Sequence, residues 1–177
     1  MSGVPEIIIK NIQQLKKESL VNGVYLVMLY VDQIPPHLGM IHSGKYYTLT
    51  VNGATRGENF NALMKLIEQK NIRSLFFKIS DRNAKNTENS LKKAFSGYGK
   101  VNEKVTCLFP VRDFFHHHFG TDVSEVRFIF HLIPLLFKGN IVELVSGANV
   151  NDNDFELLQY TMDDIVKRIN QYKAAPC

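Results

Sequence analysis

Apolar residues along this chain change their spacing several times, and each change marks an element. Between Val24 and Val31 (VYLVMLYV) almost every position is apolar and rich in strand formers, which predicts a central strand buried on both faces. From His37 to Val51, apolar and polar residues alternate loosely on either side of Ser43-Gly44, which predicts two strands joined by a tight turn. Pro35 and Pro36 offer no backbone donor, so the first arm begins abruptly at His37. Arg73 to Ile79 reads as a further strand.

Helical spacing replaces alternation elsewhere. Pro5 to Leu20 sets Ile8, Ile12 and Leu15 on one side and Lys16, Lys17 and Glu18 on the other, which predicts an amphipathic helix. Asn59 to Lys70 carries Phe60, Leu63, Met64 and Ile67 inward. A helix capped by Asn86 or Thr87 carries Leu91, Ala94, Phe95 and Tyr98 and is ended by Gly97 and Gly99. Leu108, Val111 and Phe115 recur at helical spacing, and Pro110 is tolerable only in a first turn. Cys107 therefore falls at or just before a helix N-terminus. Val126–Leu132 and Asn140–Val145 read as two strands separated by a turn containing Pro134 and Gly139, and Asn149–Asp154 as a polar loop. A last helix starts at Thr161, with Asp164 completing a capping box, and buries Met162, Ile165, Ile169 and Tyr172. Strands and helices mix without strict alternation, so the expected class is α+β: a mixed or antiparallel sheet with packed helices.

Composition narrows this picture only a little. With 177 residues the chain reads as a single domain over 1–177: an N-terminal helix within 1–22, a core over 23–120, and strands with a C-terminal helix over 121–177. The net charge of +4 is spread along the chain, which argues for a solvated surface and against a specific nucleic-acid partner. Two cysteines, one of them terminal, form neither a disulfide framework nor a zinc ribbon and suit a reducing compartment. No secretory leader is visible, and the longest apolar run, Phe128–Phe137, is well short of the ~20 residues needed to span a bilayer. The expectation is a cytoplasmic protein with no membrane span. No phosphate loop, dinucleotide fingerprint or G-x-S-x-G elbow occurs, and no cofactor or metal is implied.

The candidate chemistry lies in two residues. A histidine at the mouth of a strand, followed closely by glycine, is an odd choice for packing alone, and Cys107 is the well-placed partner for His37. A helix N-terminus and a neighbouring imidazolium both favour a thiolate, and free amides at that terminus suit an oxyanion.

On these residues the chain resembles the circularly permuted papain-like fold, which includes permuted NlpC-type hydrolases, lecithin:retinol acyltransferase relatives and PPPDE peptidases. The matching features are the strand Val24–Val31, then His37-Leu38-Gly39-Met40-Ile41, the Ser43-Gly44 turn, and Lys45-Tyr46-Tyr47. The strand Leu75–Ile79 and Thr106-Cys107-Leu108-Phe109 complete them, and the resemblance covers roughly Gly23 to Gly120. It implies Cys107 as nucleophile, and His37 as general base and ion-pair partner, acting on a peptide, lipid or other acyl substrate. Where many members carry a histidine or other strong polar residue on the second arm, this chain has Thr48. Threonine can accept a hydrogen bond from the ring but cannot hold a charge beside it. That leaves a weakened triad, a working dyad, or a catalytically inactive binding or scaffold domain on the same fold. The segment Thr106–Phe109 also lacks the polar residue that often follows the cysteine.

Other conspicuous residues have plainer readings. Gly39 is expected to allow a close backbone approach, and His42 to be exposed beside the turn. His116, His117 and His118 point ~100° apart on a helix and cannot converge on one ion. His131, Phe76-Phe77 and Phe114-Phe115 are expected in the core, and Asn151–Asp154 lacks the glycine and glutamate of a calcium loop.

Overall fold

The computed structural model describes residues 6–81 and 84–174. It is α+β, built on one mixed, mostly antiparallel sheet. The strands of that sheet and of a small accessory pair are β1 (Ile8–Ile9), β2 (Gln13–Gln14), β3 (Val24–Leu29), β4 (His37–His42), β5 (Lys45–Thr50), β6 (Gly53–Asn59), β7 (Ser74–Ile79), β8 (Val142–Ala148) and β9 (Phe155–Glu156). The helices are α1 (Asn61–Gln69), α2 (Thr87–Ser96), α3 (Leu108–Phe119), α4 (Ile129–Lys138) and α5 (Met162–Ala174). The main sheet runs β2-β8-β7-β3-β4-β5-β6, and β1 pairs separately with β9.

Strand β3 is central, and all six of its residues are buried, as its unbroken apolar run predicts. Alternation divides its side chains between two cores. Tyr25, Val27 and Leu29 join Ile41, Tyr46 and Phe76 beneath Phe60, Leu63, Met64 and Ile67 around α1. Val24, Leu26 and Met28 join Met40, Tyr47 and Phe77 on the opposite face, under Phe95 of α2, Phe114 and Phe115 of α3, and Leu132 and Leu136 of α4. The sheet is thus the middle of three layers.

Two expected elements are absent, and several observed ones, β6 and β9 among them, have no counterpart in the sequence reading. No helix covers Pro5 to Leu20: Pro5 lies outside the described residues, and the rest forms β1, β2 and a 3-10 turn over Lys17–Val21. Ile9 and Ile12 are buried while Ile8 is 44% exposed, so the apolar period is not helical. Asn11 adopts a left-handed φ of 57°, and its neighbours pair with β8 and β9 instead of with one another. A short isolated helix is marginal in water, and the extended segment instead gains backbone pairing with β9 and β8.

The expected strand Val126–Leu132 is instead the approach to and first half of α4. Buried Ile129, Leu132, Ile133 and Leu136 follow helical spacing, but apolar residues on the remaining positions conceal the stripe. Pro134 lies inside α4 and is exposed, and Gly139 caps that helix and does not make a strand turn. Strand β6 was missed because GATRGEN carries no apolar alternation; it is held by backbone pairing with β5 at the sheet edge.

At α5 the capping box is present, with the Thr161 amide donating to Asp164 at 2.8 Å and the Asp164 amide donating to the Thr161 hydroxyl at 3.3 Å. Ile165 and Ile169 are buried, but Met162 and Tyr172 are 44% and 52% exposed, contrary to expectation.

Candidate active site

The site begins with strand register. Gly39 lies opposite Thr48 and Ile41 opposite Tyr46. Because side chains alternate, His37, Gly39, Tyr46 and Thr48 share one face of the β4–β5 ribbon. His37 is the diagonal neighbour of Thr48, and its Nε2 lies 2.7 Å from the Thr48 hydroxyl oxygen.

That hydroxyl also donates to the Leu38 carbonyl at 2.8 Å. A carbonyl only accepts and a hydroxyl has one proton, so His37 Nε2 must carry the hydrogen it shares with Thr48. The basic lone pair of the neutral ring is therefore on Nδ1, which takes no part in the hydrogen bonds formed among the described residues. Thr48 acts here as an orienting group without charge.

Cys107 arrives from the other side of the sheet as the N-cap of α3. It lines the same cleft as His37, Thr48 and Tyr46, a space of about 400 Å³ walled also by Leu49, Leu63, Leu66 and one face of α5. The amides of Leu38 and of Cys107 itself lie near enough to the sulfur to favour its anion. Thiol and imidazole thus line one cleft, and among the described residues no hydrogen bond joins the sulfur to the ring. Cys177 lies outside the described residues.

Two expectations are corrected. The first-turn amides of α3 are not available for an oxyanion. Leu108 N–H donates to the Thr106 hydroxyl at 3.3 Å, Phe109 N–H donates to the Thr106 carbonyl at 3.1 Å, and Pro110 has no hydrogen to give. The donors near the sulfur come from the strand and the cap instead.

Nor is the resting pair a thiolate–imidazolium ion pair. Both side chains keep some exposure to the cleft, yet each is enclosed deeply enough for desolvation to disfavour its charged form. Burial pushes the Cys107 thiol up from 9.0 to about 11, against a smaller downward pull from the two amides. Burial likewise lowers His37 from 6.5 to about 4. At neutral pH the cleft holds an S–H and an uncharged ring.

These shifts carry a stability consequence. As pH falls from 6.5 toward 4, an unfolded chain protonates His37 while the folded chain resists, so the folded state loses stability through that window. As pH rises from 9.0 toward 11, the unfolded thiol ionises first and stability is lost again. His37→Gln should flatten the acid limb in urea titrations taken at several pH values, and Cys107→Ser the alkaline limb.

Tyr46 is the residue that sequence reasoning passed over. It is 8% exposed and lines the cleft, and its phenol is held well above the ordinary range by burial. It therefore stays a neutral O–H group in the cleft that Cys107 also lines. A Cβ built on Gly39 would lie 2.6 Å from Tyr46 Cε2 and 2.8 Å from its hydroxyl oxygen, so glycine is what admits the ring. The available signal was a tyrosine two places from the position paired with that glycine.

The remaining histidines have structural surroundings. His116 and His117 are exposed, while the His118 side chain is 3% exposed and stacks on Phe114. His118 contacts Asp81 at 3.2 Å and Ser90 at 3.0 Å, and Thr87 donates to the same carboxylate, tying β7 to α2 and α3. His42, expected to be exposed, is half-buried, and its Nδ1 is buried without a partner. His131 is half-buried and accepts the Arg127 amide at 3.3 Å. Among the described residues no three His, Cys, Asp or Glu form a metal-binding group. No helix among them is long and apolar enough to cross a membrane.

No protein-family model, curated protein or solved structure matches this chain. What the protein does has to be read from the cleft.

Proposed function

We propose that this chain is a cysteine-dependent hydrolase or acyltransferase of the permuted papain-like kind, acting on an amide or ester bond through Cys107 and His37. One observation carries the reading: Thr48, by giving its only proton to Leu38, obliges His37 to keep its basic lone pair on Nδ1, and His37 lines the same cleft as Cys107. A nucleophile, a base beside it and a group that orients the base are the parts such chemistry needs.

The neutral pair defines the sequence of events. As the sulfur attacks the carbonyl carbon, a C–S bond forms and the thiol proton passes to His37 Nδ1. The carbonyl electron pair becomes an oxyanion, for which the amides of Leu38 and Cys107, near the sulfur, and the Tyr46 hydroxyl of the cleft wall are the proposed donors. Collapse expels the amine or alcohol, which takes the proton from His37 and leaves a thioester on Cys107. Water or a second acceptor then attacks the thioester, losing its proton to His37, and the sulfur is released and reprotonated.

A second reading follows from the same protonation states. A thiol held near 11 and a charge-free third residue also suit a domain that keeps the cleft and has lost turnover. The two separate on one measurement. Incubation with 4-nitrophenyl butyrate should add one butyryl group to Cys107, seen by intact-mass and peptide mass spectrometry, and Cys107→Ala should abolish it. A chain that binds the ester but never acquires the mass is a binding domain.

A further inference from the structure

The wall of the cleft formed by α5 carries one charge. Ile165, Arg168, Ile169 and Tyr172 follow the i, i+3, i+4, i+7 pattern of a single helix face, and all four line the cleft. Arg168 is the only permanently charged residue among the lining positions, which are otherwise mostly apolar. Its Nη2 donates to the Gln33 side-chain oxygen at 2.6 Å, and its guanidinium carbon lies 5.1 Å from the Tyr172 ring centre. An amide and an aromatic ring fix the plane of the group without neutralising it. None of the ion pairs formed among the described residues involves Arg168. A fixed cation beside apolar walls, with water partly excluded, attracts an anion more strongly than one in open solvent.

We propose that Arg168 makes the cleft a site for an apolar substrate bearing one carboxylate, which the guanidinium binds while the aliphatic part lies against Ile165, Ile169 and Leu66. The charge count selects a carboxylate over a phosphate monoester. A single cation balances a single negative charge, no lysine lines the cleft, and the nearby helix amides are already engaged by Thr106. A dianionic phosphate would retain an unbalanced charge against apolar walls. The planar fork of arginine matches a carboxylate through paired N–H donors. That this carboxylate belongs to an acyl substrate rests on the proposed function; the anion site itself rests on the cleft.

The full chain can be tested by calorimetry and ligand-observed NMR with hexanoate, hexyl phosphate and 1-hexanol. Hexanoate is expected to bind about tenfold or more tightly than hexanol. Arg168→Gln should erase that preference, and Arg168→Lys should keep part of it while confirming that the altered helix still folds. Equal binding of hexanoate and hexanol, a preference that survives Arg168→Gln, or no binding of either would overturn the proposal. Tighter binding of hexyl phosphate would overturn the assignment to a carboxylate. In parallel, acylation of Cys107 is followed with 4-nitrophenyl butyrate and mono-4-nitrophenyl glutarate. Hexanoate binding through Arg168 with no acylation by either ester removes the acyl-transfer reading and leaves the anion site standing. Acylation by both esters, with no hexanoate preference, does the reverse.

Discussion

His37→Ala should lower the second-order rate of Cys107 acylation by about 1,000-fold, equivalent to ~4 kcal/mol of transition-state stabilisation. The size follows from the resting state. Because the thiol is held near 11, almost none of it is ionised at neutral pH, and attack requires its proton to leave as the C–S bond forms. His37 is kept unprotonated down to about 4, so its lone pair is free over the whole neutral range, while the same lowering makes it a weaker base. The wild-type rate should accordingly stay flat from neutral pH down toward 4 and then fall as the ring acquires a proton. His37→Ala should instead show a rate that climbs with pH toward 11, as hydroxide takes over removal of the thiol proton. An unaltered rate and pH profile in His37→Ala would sink the general-base assignment. Stopped-flow release of 4-nitrophenolate, checked by mass spectrometry for the Cys107 adduct, reads both quantities. Thr48→Val, which removes the hydroxyl that orders the ring, should act in the same direction but by a smaller factor.

Gly39→Ala should destabilise the fold by about 2 kcal/mol through overpacking and displace the Tyr46 ring from the cleft. The added methyl would stand 2.6 Å from Cε2, 2.9 Å from Cζ and 2.8 Å from the hydroxyl oxygen of Tyr46. No real contact of that kind survives, and Tyr46 is nearly enclosed, so ring and strand must move together. Gly39 has no left-handed backbone to accommodate; the requirement is space alone. The coupling is therefore specific. In a Tyr46→Ala background the same substitution should cost close to nothing, and the double-mutant cycle should return most of the single-mutant loss as interaction energy. Tyr46→Phe retains the packing and should leave urea stability within ~0.5 kcal/mol, while reducing acylation of Cys107 by roughly 10- to 100-fold. Chemical denaturation and the acylation assay on the wild type and these four variants separate the packing role of the ring from the hydrogen-bonding role of its oxygen.

The local sequence carried much of this molecule because local patterns report burial. The unbroken apolar run of β3, the hairpin around Ser43-Gly44, the stripe of α1 and the capping box of α5 are each one segment long and readable within it. The position of Cys107 at the head of α3 was legible from Pro110, which fits only a first helical turn. Where a segment's fate depended on a distant partner, its pattern misled. The N-terminal isoleucines are extended because β8 and β9 supply backbone partners, and the α4 stripe vanished into a segment that is apolar on nearly every side.

Residue types alone determined that a histidine, a threonine and a cysteine were available, on a strand pair and at a helix start. Tertiary structure decided their chemistry. Register made Thr48 the diagonal neighbour of His37 and so assigned the ring hydrogen to Nε2. Enclosure by the cleft walls held both the thiol and the imidazole uncharged, reversing the ion pair that their side-chain types suggest. Helix α5, far along the chain, brought an arginine to the same space. A protonation state is set by desolvation and by hydrogen-bond partners, and those belong to the folded neighbourhood.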